Sequence, residues 1–203
     1  MEGEADLRRS DLASDPLEQF RDWLAEASTA LEAPEAMALA TATPDGAPSA
    51  RMVLLKGFDE RGLVFFSHYT SRKGRDLEAN PQAALLFHWS PLGRQVRVEG
   101  TVERVSEAES DAYFATRPRD AQVGALASRQ SDRLGSRTEL YERLAELEDD
   151  LAGGAVLRPP TWGGFVLEPR AWEFWQHRES RLHDRFRYEP EPPGGWRIER
   201  LFP

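Results

Sequence analysis

The sequence predicts a β-rich α+β domain, built on a closed or nearly closed antiparallel barrel with helices packed outside it. Three observations lead to this fold class. Short strand-like runs dominate the chain, turn sequences such as Pro44-Asp45-Gly46 separate the first of them, and segments with apolar residues at helical spacing lie on either side. No linker divides 15–203, so we expect one domain there, preceded by a flexible N-terminal arm over 1–14.

The first half of the chain begins with a helix and continues as strands. Asp15 is placed to cap a helix that starts with Pro16 and ends near Pro34. The turns between the next strands predict two successive hairpins in an antiparallel meander. The expected elements are strands at 37–43, 49–58 and 63–68 and a short helix from Ser71 to Asn80.

The second half alternates strands with two capped helices. Ser106 with Glu109 and Ser136 with Glu139 both match the capping-box pattern, which marks a helix N-terminus. Gly100, inside a strand-like run, predicts a β-bulge. The strands of this half are expected at 83–89, 95–105, 164–167 and 196–201.

Composition excludes several functional classes. A net charge of −9 argues against general nucleic-acid binding, because the average field repels a polyanion. The absence of cysteine excludes disulfides, thiolate metal sites and a cysteine nucleophile, and the four histidines lack metal-ligand spacing. Neither a signal peptide nor a membrane-spanning run is recognisable, so we expect a cytoplasmic protein without a metal.

The stretch RLHDRFRY, residues 181–188, concentrates positive charge near the C-terminus. If it is a strand, alternate residues share a face, which places Arg181, His183, Arg185 and Arg187 together. Four potentially cationic groups on one face suit an anion site. They equally suit a sheet edge guarded by charge, so both interpretations stay open on composition.

Two further cationic clusters lie earlier in the chain. Arg51 and Lys56 end the run RMVLLK and would face opposite ways in a strand, which suits either two anions or a core strand with snorkelling ends. Arg72 and Lys73 fall at a helix N-terminus, where the helix dipole disfavours cations. A bound phosphate would remove that conflict.

Aromatic and amide groups complete the candidate chemistry. Tyr113 and Arg117 are neighbours on a helix face, where they could grip a phosphate or form a cation–π pair. Gln130-Ser131 adds neutral hydrogen-bonding groups, and the aromatic run around Trp175 suits either the core or the cover of a flat heterocycle. Together these signals favour two phosphate-bearing ligands, one of them a cofactor that carries the chemistry.

Eight segments in the same order resemble the pyridoxamine 5′-phosphate oxidase (pyridoxine 5′-phosphate oxidase) family, FMN enzymes of vitamin B6 metabolism. The resemblance covers the chain from about residue 10 to Pro203. The segments are RMVLLK (51–56), SRK (71–73), RQVRVEG (94–100), YFATRPRD (113–120), SRQS (128–131), WGGF (162–165), EFWQ (173–176) and RLHDRFRY (181–188).

The resemblance implies a split β-barrel homodimer with FMN in clefts at the subunit interface. The implied FMN-binding residues are Arg51, Met52, Val53, Leu54, Leu55, Lys56, Phe66, Ser67, Arg72, Lys73, Gln95, Gln130, Ser131, Trp175 and Arg185. The implied substrate-binding residues are Lys56, Tyr113, Arg117, Arg181, Leu182 and His183, with Arg181 and His183 as the catalytic pair. Arg187 receives no role from the resemblance and is expected to guard a solvated strand edge.

The implied reaction oxidises pyridoxamine 5′-phosphate and pyridoxine 5′-phosphate to pyridoxal 5′-phosphate, with hydride passing to FMN and then O2 yielding H2O2. Alternatives are another flavoenzyme of this barrel fold or a non-catalytic protein that binds pyridoxal 5′-phosphate. The chain departs from the family in a short N-terminal arm, in Ala121 where many relatives have serine, and in Ala33 where some have an acidic residue. These departures are expected to affect substrate closure and affinity more than FMN binding.

Overall fold

The structure is a computed structural model that describes residues 6–203; residues 1–5 of the expected arm lie outside the described residues. The described part contains nine strands and five α-helices. The strands are β1 Ala36–Ala42, β2 Pro48–Leu54, β3 Gly57–Asp59, β4 Gly62–His68, β5 Gln82–Trp89, β6 Arg94–Arg104, β7 Trp162–Gln176, β8 Asp184–Pro190 and β9 Trp196–Arg200. The helices are α1 Pro16–Ala30, α2 Arg72–Ala79, α3 Glu107–Thr116, α4 Arg119–Ala127 and α5 Arg137–Leu151.

The nine strands form one antiparallel sheet that curls into a half-barrel, which confirms the predicted β-rich α+β class. The strand order is β2-β1-β5-β6-β7-β4-β3, and β8 and β9 continue from the second half of β7. Both predicted hairpins form, but the expected meander is wrong. Because β1 pairs with β5 and β4 pairs with β7, the two hairpins lie at opposite ends of the sheet order.

The connection between β2 and β3 joins those two ends of the sheet. The backbone N–H of Leu55 donates to the carbonyl of Glu35 at 2.9 Å, whereas that of Lys56 donates to Val64 at 2.8 Å. Successive residues therefore bond to opposite ends of the sheet order. This crossing explains why the single strand predicted over 49–58 is two strands, and it curls the sheet around its core.

Helix α1 packs against the core face of the sheet and supplies large core side chains. Asp15 caps it by accepting a hydrogen bond from the Leu17 N–H at 2.8 Å, as predicted. Phe20 packs 5.5 Å from Trp172 between ring centroids, and Trp23 meets Phe174 edge-on at 5.2 Å. These contacts identify the face of the sheet that forms the core.

Strand β7 is much longer than the predicted 164–167, because a bulge lets it run through a proline. The register of β6 against β7 shifts between Glu99 and Gly100, which confirms the predicted bulge. Gly100 pairs with Pro169, and a Cβ at Gly100 would collide with the carbonyl of Glu168. Glycine is therefore required at this close approach of two backbones.

The RLHDRFRY stretch forms a strand only in its second half. Residues Glu179–Arg181 make a 3₁₀ turn, in which Ser180 and Arg181 have φ of 55° and 60°, and β8 begins at Asp184. The prediction that Arg181 and His183 continue one strand face with Arg185 and Arg187 is therefore wrong. The alternation holds from Arg185 onward, with Phe186 and Tyr188 buried on the opposite face.

The expectation that Arg187 guards a sheet edge is also wrong. Strand β8 lies between β7 and β9, and Arg187 pairs in register with Glu173 on one side and Glu199 on the other. The strand that covers this edge is β9.

The described part of the N-terminal segment contacts β8 and β9. The Tyr188 hydroxyl donates to the Ala13 carbonyl at 2.9 Å, and the Leu7 N–H donates to the Asp184 carboxylate at 3.1 Å. Leu12 is buried. The division of the chain into an arm and one domain stays a prediction. Among residues 6–203, no helix combines the length and apolar character needed to cross a bilayer.

Candidate functional site

A cavity of about 690 Å³ opens between β2, β4, the α3–α4 helices and the start of β7. Its lining brings together predicted site residues from distant parts of the chain. The predicted residues on its wall are Met52, Val53, Leu54, Lys56, Phe66, Ser67, Lys73, Tyr113, Arg117 and Gln130. Leu55, predicted with them, is buried in the core.

One end of the cavity is built around Lys73, which is only 7% exposed. Its Nζ donates to the Gln130 amide oxygen at 2.7 Å and to the Ser67 hydroxyl at 3.1 Å. Burial, followed by the nearby Arg51 charge, lowers the pKa of Lys73 to about 8. This ammonium group has neutral partners, and an added anion would favour its charged form.

The turn from β4 into α2 places Lys73 in that position. Ser71 caps α2 by accepting from the Gly74 N–H at 3.2 Å, and its hydroxyl donates to the His68 carbonyl at 2.7 Å. The N–H of Arg72 meets the Ser131 hydroxyl at 3.1 Å. The α4–α5 loop is therefore tied to the first turn of α2, where backbone N–H groups and the helix dipole favour an anion.

Arg51 lies beside this end of the cavity, where neighbouring protein groups fix its guanidinium. Its guanidinium donates to the hydroxyls of Thr41 and Ser49, both at 2.8 Å, and lies 3.7 Å from the Asp76 carboxylate. Thr41 in turn donates to Asp76 at 2.8 Å. Burial lowers the Arg51 pKa against the effect of Asp76, and Arg72 lowers it further. The three predicted phosphate-binding cations thus lie in one cluster.

The other end of the cavity combines aromatic rings with the half-buried guanidinium of Arg117. Tyr113 stacks on Phe66 at 3.9 Å between ring centroids, and Trp162 continues the near-parallel stack. Arg117 lies over the Trp162 ring at 4.7 Å, and its Nη1 is buried without a hydrogen-bond partner. Burial lowers the pKa of Arg117. A buried, unpartnered guanidinium nitrogen in a cavity fits an anionic ligand, since desolvation without a partner is costly.

Within the described residues, neither the cations on the cavity wall nor Arg72 beside it forms an ion pair, although Asp120 opposes the lowering of the Arg117 pKa. Arg72, Lys73, Arg117 and Lys56 form no ion pair with any carboxylate of 6–203. Both ends therefore fit phosphate groups, as the predicted pair of phosphate-bearing ligands requires. In the same part of the chain, no three acidic or imidazole groups are placed to hold a metal ion.

A second group of predicted residues lies on the sheet, away from this cavity. Gln95, Trp175 and Arg185 are paired neighbours across β6, β7 and β8. They belong to a surface that we call the outer β face. Its members point away from the core: Gln95, Arg97, Glu99, Glu173, Trp175, Arg185 and Arg187.

The predicted catalytic residues lie at the end of the outer β face. The His183 ring lies 4.5 Å from the Trp175 ring between centroids, and His183 Nδ1 accepts from the Arg178 N–H at 3.0 Å. The pKa of His183 is lowered by desolvation, then by His177 and Arg181. Leu182 is 69% exposed. Within one chain the predicted site residues therefore form two groups, and their binding roles stay predictions.

Sequence reasoning missed His68 and Trp162 as cavity residues, although Trp162 belongs to a segment that carries the resemblance. They are direct partners in the β4–β7 register. That pairing joins two positions that are far apart in the sequence. The only local signal for His68 is its place directly after Ser67.

Comparison with known proteins gives consistent matches over nearly the whole chain. The family model described as "Pyridoxamine 5′-phosphate oxidase" matches residues 24–149, and that described as "Pyridoxine 5′-phosphate oxidase C-terminal dimerisation region" matches 162–203. A pyridoxine/pyridoxamine 5′-phosphate oxidase of Rubrobacter xylanophilus is 63% identical over 93% of this chain and 87% of its own. One from Cupriavidus taiwanensis is 57% identical over 98% of both chains.

Solved structures show the same architecture. PhzG from Burkholderia lata 383, crystallised with tetrahydrophenazine-1-carboxylic acid, superposes with a TM-score of 0.90 at 38% identity, over 97% of this chain and 98% of PhzG. A pyridoxamine 5′-phosphate oxidase-related, FMN-binding protein from Nostoc punctiforme gives a TM-score of 0.74 at 17% identity, over 95% of this chain and all of its own. The second match shows the fold alone.

Proposed function

This chain belongs to the pyridoxamine 5′-phosphate oxidase family, and from that premise we propose that it oxidises pyridoxamine 5′-phosphate and pyridoxine 5′-phosphate to pyridoxal 5′-phosphate. FMN is the proposed cofactor, O2 the oxidant and a homodimer the active form. The observation that carries the proposal is the cavity whose cations form no ion pair with a carboxylate of 6–203, with the half-buried Arg117 at one end and the buried Lys73 at the other.

When bound, FMN would accept a hydride from C4′ of the substrate. The reduced flavin would then pass two electrons to dioxygen, which yields hydrogen peroxide with two protons. The alcohol substrate then leaves as the aldehyde, and the amine as an imine that hydrolyses with loss of ammonia. The protein's own contribution is to bind, orient and desolvate.

The Lys73 end of the cavity is the proposed place for the FMN phosphate. Arg51, Arg72 and Lys73 supply charge, and Gln130 with Ser131 supplies neutral hydrogen bonds. Each charge-assisted hydrogen bond to phosphate contributes roughly 1.5–3 kcal/mol. Burial, and then the Arg51 charge, lower the pKa of Lys73, whereas a bound phosphate favours the charged form, so Lys73 would be protonated in the complex.

The Arg117 end is the proposed place for the substrate phosphate. Lys56 and Tyr113 line the same wall, and the unpartnered Nη1 of Arg117 can donate to a phosphate oxygen. Contacts to this phosphate are remote from the reacting carbon, but the binding energy that they supply can be used to orient it. Ala121 also lines this wall and offers no hydroxyl, so it adds no hydrogen bond there.

Arg181 and His183 are proposed to act on the pyridine ring and its reacting substituent. Arg181 offers a guanidinium, which has donors and no acceptor, so its role is positioning and electrostatics. His183 is held through Nδ1 by the Arg178 N–H, which leaves Nε2 for a ligand.

A homodimer explains why the predicted residues form two groups in one chain. Met52 and Leu54 border the cavity yet are 63% and 42% exposed, which is apolar surface suited to an interface. A twofold axis could bring the outer β face of one subunit to the cavity of the other. The description of the second family model as a dimerisation region supports this arrangement.

An aerobic assay with each substrate tests the proposed function. Purified protein should carry a flavin absorbance, and both substrates should yield aldehyde and peroxide in equal amounts. Full FMN occupancy with no peroxide from either substrate would overturn the proposal. Anaerobic bleaching of the flavin on substrate addition separates an oxidase from a non-catalytic pyridoxal 5′-phosphate binder. A tricyclic carboxylic acid of the kind bound to PhzG serves as a control substrate, and the phosphate-suited cavity predicts much slower turnover for it.

A further inference from the structure

His68 is a buried imidazole on the cavity wall for which the resemblance implies no role. It is the last residue of β4, is 5% exposed and is paired with Trp162 of β7. Its carbonyl accepts hydrogen bonds from the N–H and hydroxyl of Ser71, at 3.2 and 2.7 Å. The backbone is thereby fixed at the junction with α2, and the residue lines the cavity.

The charged groups that share this wall with His68 are cations. Lys73 approaches from α2, Arg117 from the end of α3 and Lys56 from the connection between β2 and β3, while Tyr113 of α3 is the nearby phenol. Among residues 6–203, no carboxylate forms an ion pair with His68. Burial, then Lys73, then Arg117 lower the pKa of His68 below its ordinary value of 6.5. The imidazole is therefore neutral at pH 7 before a ligand binds.

We propose that His68 is a further substrate-binding residue, which hydrogen-bonds the phosphate held by Arg117 and takes up one proton as that phosphate binds. This inference rests on the proposed function, because it takes the Arg117 end of the cavity as the phosphate site. A phosphate dianion placed among these cations reverses the sign of the local field. The resulting imidazolium can donate a charge-assisted hydrogen bond that a neutral ring cannot match.

Proton uptake has a kinetic signature. Where His68 is neutral in the free protein and protonated in the complex, substrate affinity falls as pH rises, by up to tenfold per pH unit. The second ionisation of the substrate phosphate, with a pKa of about 6, acts in the opposite direction. Comparison of wild type with His68→Asn separates the two effects, because the ionisation of the substrate phosphate affects both proteins equally. Asparagine keeps a hydrogen-bonding side chain and removes the titration.

The direct test is an NMR titration of the holoprotein with labelled histidine. The chain has four histidines, so His68→Asn and His88→Asn identify two of the four signals. Inorganic phosphate is the probe, at concentrations that inhibit turnover competitively. The expected result is a rise in the His68 titration midpoint when phosphate is added, with no change at His88, which is exposed on β5. An unchanged His68 midpoint under competitive inhibition would overturn the inference.

Steady-state kinetics give the second readout. His68→Asn is expected to raise KM about tenfold at pH 6.5 and to flatten its rise with pH, with kcat nearly unchanged. His88→Asn should match wild type in both. If wild type makes peroxide while His68→Asn retains the wild-type KM and pH profile, the inference fails and the proposed function stands. If wild type makes no peroxide, the proposed function itself fails. Should His68→Asn not fold, variants of the other three histidines assign the His68 signal by elimination.

Discussion

The cavity and the outer β face both concentrate positive side chains, but only those of the outer β face are paired with carboxylates. On the outer β face Arg97 and Arg185 share the buried Glu173, at 2.6 and 2.9 Å, and Arg187 pairs with Glu99 at 3.0 Å. In the cavity, Lys73 and Arg117 have no carboxylate partner within 6–203. The chain holds 35 acidic against 26 basic residues, so scarcity of acid does not explain the difference.

The contrast separates cations that stabilise the fold from cations that await a ligand. A buried ion pair is satisfied internally, and its loss leaves one charge uncompensated. A buried cation without a counter-charge makes the free protein less stable, and a phosphate can recover that free energy on binding. Each region therefore predicts its own response to substitution.

The largest effect is expected at Arg117. Arg117→Gln should lower kcat/KM by about 100-fold, mainly through KM, because it removes a charged donor to the substrate phosphate. FMN content should stay near the wild-type value, since Arg117 lies at the other end of the cavity from Lys73. Flavin absorbance and steady-state kinetics measure both.

Arg119→Gln is the matched control for Arg117. Arg119 is close in sequence, but its side chain is 38% exposed and pairs with Glu148 at 2.9 Å. It should change KM by less than about threefold, as expected for a surface pair. A wild-type KM in Arg117→Gln would remove the main support for a phosphate site at this end.

Substitution of Lys73 is expected to have an intermediate effect, and to stabilise the apoprotein rather than destabilise it. Lys73→Met should weaken FMN binding, yet raise the free energy of unfolding of the apoprotein by about 1 kcal/mol at pH 7, because it removes a buried charge without a counter-charge. Glu173→Gln is the contrasting variant on the outer β face. It should lower the stability, since two guanidinium groups lose their shared buried carboxylate.

The pH dependence of the Lys73 effect follows from its lowered pKa. The folded apoprotein has a Lys73 pKa of about 8, against an ordinary value of 10.5. Between these values the unfolded chain binds more protons, so the native state gains stability as pH rises. The gain in free energy of unfolding of Lys73→Met over wild type should therefore be largest below pH 8 and decrease above it. Urea denaturation of both apoproteins at pH 7 and pH 9.5 measures this, and a constant difference would contradict the assignment.

Local chemistry made much of the fold predictable. The caps at Asp15, Ser106 and Ser136 and the bulge at Gly100 depend on neighbouring residues, and all four are present in the structure. Strand pairing depends on distant residues, and there the sequence failed. The meander, the full length of β7 and the start of β8 all required knowledge of which strand lies beside which.

The same division applies to the candidate site. The charge conflict at Arg72 and Lys73 is visible at the N-terminus of α2 and indicated a phosphate site, which stays a prediction. The separation of Gln95 and Trp175 from the cavity is a property of sheet register and could not be read from the order of motifs. Even spacing suggested that Arg181 belongs with Arg185, but the positive φ at Ser180 and Arg181 turns the chain between them.

The smallest effect is expected at Arg187, and it tests the comparison most closely. Arg187 is half-buried and pairs with Glu189 and Glu99, at 2.9 and 3.0 Å, and both carboxylates raise its pKa. Arg187→Gln should lower stability by less than about 1 kcal/mol, more so at low salt, and leave FMN affinity unchanged. Its matched partner is Arg185→Gln, two residues away on the same face, which should weaken FMN binding. FMN titration of the two variant apoproteins, monitored by quenching of flavin fluorescence, measures the FMN affinity of each. Both arginines pair with carboxylates, so equal losses of FMN affinity in the two variants would contradict the assignment of Arg187 to the fold alone. A loss confined to Arg185 would place the boundary between the two kinds of arginine inside a single strand, because Arg185 also donates to the Phe202 carbonyl at 3.0 Å and so ends beside the C-terminal segment rather than among acids alone.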